Sequence, residues 1–274
     1  PNGEVLNLST SSKYSLYKIT GLQPPASAVN TSNNATSDGV TVNSVRVDKR
    51  NIVLYVAIED DVERSRIELY KYFPLKQTIT LYFKNGSRDV YIEGTVELIE
   101  VDLFSSKQVA QISIICPKPY FKGVNDLISY FSDVSAMFEF PFSIPKTGVE
   151  FSAITQNVRK SIINAGDVSS GVIIDLYAIG KIVNPIIYDV MKRTHIKLIF
   201  TMEAGDHIII NTNHGEKSIT LVRGGISTNI IGYMYPDSSW LTLEAGDNVF
   251  TYDCDSGNSN LQITFTSSVL YSGV

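Results

Sequence analysis

One tryptophan, two cysteines and three histidines are spread through 274 residues, and no apolar run reaches the roughly 18 residues of a membrane-spanning helix. The best apolar stretch, Val172 to Ile179, is broken by Asp175. Cys116 and Cys254 stand in different halves of the chain without metal or redox spacing, so two buried free thiols are expected. His195, His207 and His214 form no His-Glu-x-x-His array, which leaves no metal centre to name. Nucleophile-elbow, phosphate-loop and dinucleotide-loop signatures are missing too, so no catalytic residue and no cofactor is expected. Charge is scarce: 19% of residues are charged, against about 25% in an average chain. The net charge of -5 gives no basic face for a nucleic-acid backbone. Pro1 to Leu8 lack a basic segment followed by an apolar run, so folding in a cytosol is expected.

What the chain does have is 15 Tyr, 12 Phe and many Ile, Val and Thr, a composition that favours strands. Tyr14 to Thr20 alternates and stops at Gly21-Leu22-Gln23-Pro24-Pro25, where two prolines cannot supply ladder donors. Ala26 to Gly39 reads as a loop with at most an edge strand. Val40 to Val47 and Asn51 to Glu59 read as strands around a turn at Asp48-Lys49-Arg50. A helix then starts at Asp60, with Glu63 placed to reach back as a capping box. Its stripe is Val62, Leu69 and Phe73, and Pro74 ends it. Asn85-Gly86, able to take positive φ at both turn positions, predicts a hairpin between Gln77 to Lys84 and Ser87 to Val101. Gln111 to Ile115 is a further strand before Cys116-Pro117-Lys118-Pro119. A short helix over Asn125 to Val134 and an extended, proline-bearing connector over Phe138 to Pro145 follow.

The second half predicts an all-β sandwich, with strands at Val172 to Ala178, His195 to Phe200, Ile208 to Thr212, Ser218 to Arg223 and Leu261 to Phe265. Thr201-Met202-Glu203-Ala204-Gly205-Asp206 is echoed by Thr242-Leu243-Glu244-Ala245-Gly246-Asp247. Carboxylate pairs for calcium or glycoside hydrolysis would have to face a common cleft, whereas a turn explains both copies: Gly supplies positive φ and Asp bonds nearby backbone. The cluster Glu59-Asp60-Asp61 is accounted for by the helix N-terminus. Trp240, beside Tyr233, Tyr235 and Leu241, is either a sugar-stacking platform or a core or interface anchor.

Two sets of residues carry a family likeness. Gly21 to Ala26, Asp38-Gly39 and Ser44 to Leu54 resemble the opening of the bacteriophage distal tail protein family; the helix, the Asn85-Gly86 hairpin and Cys116 to Phe121 continue it. Phe138 to Pro145, Asn164 to Asp167, Asn184-Pro185 and Leu243 to Asn248 resemble its C-terminal domain. The resemblance implies a mainly β chain: residues 1–120 a ring-forming belt domain, a β-sandwich with one helix, and residues 121–274 a connector and galectin-like C-terminal β-sandwich. It implies a hexameric ring at the virion tail tip or baseplate, assembled in the host bacterial cytoplasm. That ring would join the tail-tube protein to the tail-tip hub protein, and in some members also hold receptor-binding proteins. Non-enzymatic work is implied, with no cofactor, metal, membrane or specific nucleic acid. No long insertion stands where an added carbohydrate-binding module would. The rival expectation is a carbohydrate-binding module that uses the C-terminal sandwich and Trp240 for host-surface attachment.

Overall fold

The computed structural model describes residues 4–35, 38–105, 107–136, 152–156 and 159–274. In chain order, the elements of the first half are β1 (Tyr14–Thr20), β2 (Ser27–Asn33), β3 (Val40–Val47), β4 (Arg50–Ile58), α1 (Val62–Tyr72), β5 (Thr78–Asn85), β6 (Arg88–Val101), β7 (Val109–Cys116) and β8 (Phe121–Tyr130). Then come β9 (Ser132–Ala136), β10 (Ser152–Gln156), β11 (Arg159–Asn164), β12 (Ser170–Gly171), β13 (Ile173–Ala178), β14 (Ile182–Val183), β15 (Ile186–Asp189), β16 (Thr194–Lys197), β17 (Thr201–Met202) and β18 (His207–Asn211). The chain finishes with β19 (Ser218–Arg223), β20 (Ile226–Asn229), β21 (Thr242–Leu243), β22 (Gly246–Asp253) and β23 (Leu261–Tyr271). It divides into two compact units, residues 1–124 with 271–274, and residues 125–270.

In the first unit the order β1-β4-β7-β6 is antiparallel throughout, and the long strand β6 serves two partners in turn. Its first half pairs with β5 from Arg88↔Asn85 to Thr95↔Thr78, and its second half pairs with β7. The change of partner happens at Gly94, where an added Cβ would lie 2.6 Å from Ile114 Cγ2 and 2.8 Å from the Cys116 sulfur. Only glycine lets β6 cross so close to β7. The alternation in β4 and β7 buries Ile52, Leu54, Val56, Ile112 and Ile114, and α1 closes this core with Leu69 and Phe73. Tyr14 donates its hydroxyl to the Ser65 carbonyl at 2.7 Å, fixing helix to sheet, and burial pushes its phenol up to about 12.

Arg50 ties the loops of this unit together although it is only 2% exposed. Its Nε donates to Pro119 O at 2.7 Å, Nη1 to Gly21 O at 2.5 Å and Gln23 O at 2.7 Å, and Nη2 to Ser272 O at 2.7 Å. The guanidinium lies 4.4 Å from the Phe121 ring centroid. Gly21 can serve as an acceptor because its φ is +87°; a Cβ there would meet Asn51 O at 2.0 Å. Burial lowers the Arg50 pKa, yet the four carbonyl partners keep the charge satisfied without any carboxylate.

The second unit is a two-sheet sandwich. One sheet runs β23-β13-β18-β19-β20, with the end of β8 beside β23; the other runs β11-β22-β15-β16. Alternate residues of β13, β18, β22 and β23 point inward. Phe265 is central, with ring centroids 5.0 Å from Phe250 and 5.1 Å from Phe131. Each such ring contributes on the order of 2–3 kcal/mol by leaving water.

Several expectations change. Ala26 to Gly39 contains β2, paired with β3 as a separate two-stranded ribbon. Consequently β3 and β4, which flank Asp48-Lys49, belong to different sheets. The helix starts as expected in place but not in chemistry: Asp61 is its N-cap with left-handed φ 37° and ψ 66°, and no side chain caps it. Ser65 Oγ donates to Asp60 O instead, at 2.6 Å. The Asn85-Gly86 hairpin is present, but its two-residue loop is Gly86-Ser87 and neither loop residue has positive φ. Register there is fixed by Ile79, Val90 and Ile92, which are buried, more than by turn chemistry. The expected helix over Asn125 to Val134 is instead the end of β8 and the start of β9; the end of β8 runs beside β23, and Leu127 packs on the second core. Cys116 is buried as expected, with its thiol pushed up to about 11 by burial, whereas Cys254 is half-buried. Residues 271–274 return to the first unit, where the sequence boundary at 120/121 left them with the second. The connector Phe138 to Pro145 lies outside the described residues.

Replacing Arg50 by Leu should strip four carbonyls of their shared buried donor and destabilise the first unit by about 3 kcal/mol, while Arg50→Lys should recover only part of that loss. Urea unfolding of the three proteins measures it, and an Arg50→Leu midpoint equal to wild type would refute the role.

Candidate functional site

The feature of the first unit that its own core does not explain is the ribbon of β2 and β3. Cross-strand partners Val29↔Val45, Thr31↔Val42 and Asn33↔Val40 share one face, with a register shift after Asn30. Val29, Val40, Val42 and Val45 are each more than half exposed. The opposite face carries Asn30, Ser32, Thr41, Ser44 and Arg46, with Ser32 Oγ donating to Asn43 Oδ1 at 3.3 Å. This is a strand pair with a water-facing polar side and an apolar side that no described residue of the unit buries. Isolated two-stranded ribbons are marginal in water, and unpaired edges attract further strands. The sequence reading missed the ribbon because Ser, Thr and Asn dominate β2; the alternating valines of β3 were the available signal.

In the second unit Trp240 is half-buried against the core cluster, and the Lys217 ammonium lies over its ring at 5.4 Å. Tyr233 packs edge-on against Phe200 with centroids 5.1 Å apart, and Tyr233 and Tyr235 are both exposed. The three histidines stay apart in role. His207 places Nδ1 3.2 Å from Asp175 Oδ1 and stacks 4.6 Å from the Tyr177 ring; His195 faces Tyr188 across β15 and β16; His214 is exposed in its turn. Among the described residues no three His, Cys, Asp or Glu side chains converge as a metal site.

A search of curated proteins by sequence finds no match. Two domain families do match. The phage tail protein RIFT-related domain covers residues 1–116, and the siphovirus-type tail component, C-terminal domain, covers residues 165–268. This chain belongs to the phage distal tail protein family. The fold is similar to that of the Dit protein of phage SPP1, with a TM-score of 0.67 at 10% identity over 94% of this chain and 93% of that one. It is similar as well to a chain of the phage p2 baseplate in its activated conformation with calcium, with a TM-score of 0.50 at 13% identity over 99% and 95% of the two chains. The strontium form of that baseplate gives a TM-score of 0.50 at 12% identity over 97% and 93%. The architecture is therefore that of a belt-type β-sandwich with one helix followed by a galectin-like sandwich.

Within the C-terminal family domain, the repeated Glu-Ala-Gly-Asp stretches are turns between β17 and β18 and between β21 and β22, with Gly205 and Gly246 at φ +88° and +91°. Both turns are closed by a side chain that accepts from the Glu N–H behind it, but the copies use different residues. Asp206 Oδ2 accepts from Glu203 N at 2.7 Å, and in the second copy Asn248, not Asp247, accepts from Glu244 N at 2.8 Å. Asp206 is 2% exposed and is gripped by Arg223, Nε to Oδ1 at 2.7 Å and Nη2 to Oδ2 at 2.5 Å. The bidentate guanidinium holds the Asp206 carboxyl below the usual carboxylate range, against burial, which raises it.

A carboxylate depressed on folding adds stability that is complete above its unfolded pKa of about 3.9 and is lost as pH falls through its folded value. Asp206→Asn should therefore cost about 2 kcal/mol at neutral pH and flatten the acid limb of thermal stability below about pH 4. Thermal unfolding across pH 2–7 measures this (a window set by those pKa values, roughly); an unchanged acid limb would count against the pair.

Proposed function

We propose that this distal tail family member is a structural hub at the phage tail tip, closing into a hexameric ring that joins the tail-tube protein to the tail-tip hub protein. The carrying observation is the ribbon: a valine face, Val29, Val40, Val42 and Val45, without cover in its own unit. A cyclic assembly gives every copy of such a face one partner and stops growth at a finite size. The fold likeness supports the reading, since the SPP1 protein is described as a paradigm of the hub of the adsorption apparatus in phages infecting Gram-positive bacteria. Residues 1–120 act as the belt, and the C-terminal sandwich offers the surface for receptor-binding proteins. The work is mechanical and needs no cofactor: each added component requires only a higher affinity for the ring than for the free subunit. Assembly takes place in the host cytoplasm before the particle is complete.

Glycan capture through Trp240 has weaker support. The indole packs against the core, and its ring carries the Lys217 ammonium, so a sugar would have to displace that contact. Trp240 is better read as a packing anchor. Trp240→Ala should lower the stability of the second unit by about 3 kcal/mol and leave a glycan array as blank as wild type. Saturable binding that this substitution abolishes would reverse the assignment.

Multi-angle light scattering on the purified chain, alone and with the hub protein, tests the ring. Burying a valine contributes on the order of 1.5 kcal/mol. Val29→Asp with Val45→Asp should then weaken assembly by more than about a hundredfold and leave monomers whose melting temperature is unchanged. Persistent wild-type monomer in the presence of hub protein, or a variant that still forms the ring, would defeat the proposal.

A further inference from the structure

The β6–β7 loop carries an apolar tip that its own unit does not use. Phe104 is 98% exposed, and Leu103 beside it is 47% exposed. The loop does not need them. Its bracing is polar: the Phe104 N–H donates to Asp102 Oδ1 at 3.4 Å, Gln108 Nε2 donates to Leu103 O at 3.1 Å, and Ser105 Oγ donates to Lys107 O. Turn positions are ordinarily filled by Gly, Asn, Asp, Ser or Pro, each for a backbone reason, and a Leu-Phe pair supplies none of these.

The surroundings are acidic. The Ile58 N–H donates to Gln108 O at 3.0 Å, which brings the exit of β4, Glu59 and Asp60, alongside the loop, while Glu100 and Asp102 stand at its entry. All four carboxylates are exposed, and among the described residues none of them makes an ion pair. Lys107 is the sole basic residue between Glu97 and Gln111, and none lies between Val53 and Glu63.

We propose that this pole of the first unit is a docking surface for a second protein that presents an apolar pocket rimmed by Lys or Arg, with Phe104 and Leu103 as the inserted anchor. Exposed aromatic residues that fill a pocket dominate binding energy, and complementary rim charge sets encounter rate and orientation. Two other occupants fit less well. Another copy of this pole would bring like charges together, and the acidic rim would be repelled by an anionic lipid surface.

The surface is separate from the valine ribbon, so it can be tested on the ring and on the Val29→Asp, Val45→Asp protein alike. Biolayer interferometry with immobilised wild type, Phe104→Ser and the pair Glu59→Lys, Glu100→Lys would use the purified tail-tube protein and the purified tail-tip hub protein of the same particle as probes. One of the two should bind wild type more tightly at low salt than at high salt. Both variants should weaken that binding by at least about tenfold, with melting temperature and assembly mass unchanged. Equal binding of both probes to wild type and variants, loss of self-association in Phe104→Ser, or Phe104-dependent binding to anionic phosphatidylglycerol vesicles would each overturn the proposal. Failure of ring formation with these losses intact would leave the docking surface standing.

Discussion

A guanidinium sealed from water must find an acceptor for nearly every N–H it carries, and in the first unit that requirement organises the loops. Arg50 leaves β4 pointing at the exit of β1, at the proline segment that ends β7, and at the returning C-terminus. Three chain segments far apart in sequence thus share one cation. If any of them moves, a buried charge loses a partner at a cost of several kcal/mol, so their positions are coupled. Carbonyl acceptors suit this purpose better than a carboxylate would, because backbone oxygens cannot titrate away and cannot move without the loops that carry them. Phe121 stacks on the same guanidinium, so the first residue of β8 is set by that charge as well. Arg88 repeats the device on a smaller scale, donating to Gly273 O while its guanidinium lies 4.6 Å from the Tyr271 ring.

How much of this the sequence disclosed depends on whether the deciding force was local. The strand β19, whose inward residues alternate cleanly, was found at its true limits because burial and pattern coincide, and the alternating valines of β3 marked that strand although they stay exposed. The Gly205 and Gly246 turns were legible because positive φ has few alternatives to glycine. Asn125 to Val134 misled because Leu127 and Tyr130 fall at helical spacing, while the deciding partner of the first part, β23, is more than a hundred residues away in sequence. The helix cap failed for a similar reason: Ser65, buried beneath Tyr14, took the Asp60 carbonyl, an outcome set by packing. Nothing local distinguishes Arg50 from its neighbours Arg46 and Lys49, which are both exposed in the same basic stretch. The family likeness reached the architecture where periodicity did not, because it carries long-range pairing within it.

The two units satisfy their polar groups and place their apolar side chains in different ways. In the second unit, large inward residues from both sheets fill the core, and the polar turn residues Asp206 and Asn248 are satisfied internally. Such a sandwich tolerates change on its outside without endangering its core. The first unit exposes apolar side chains on the ribbon and at the β6–β7 tip, among other places, while its core is closed by α1 and Arg50. Surplus placed on protrusions leaves the unit able to fold before it meets a partner.

That separation has a consequence for assembly order. A face formed from two short strands offers only modest affinity in a single encounter, since ordering both partners costs entropy that a few valines barely offset. Closing a ring changes the arithmetic, because the last contact is made at the effective concentration fixed by those already formed. An anchor such as Phe104, repeated around a closed ring, would gain in the same way toward a coaxial partner while remaining weak on a free subunit. In the proposed ring, binding that is weak singly and strong when multiplied would favour partners arriving after closure, and so would order assembly without an enzyme to direct it.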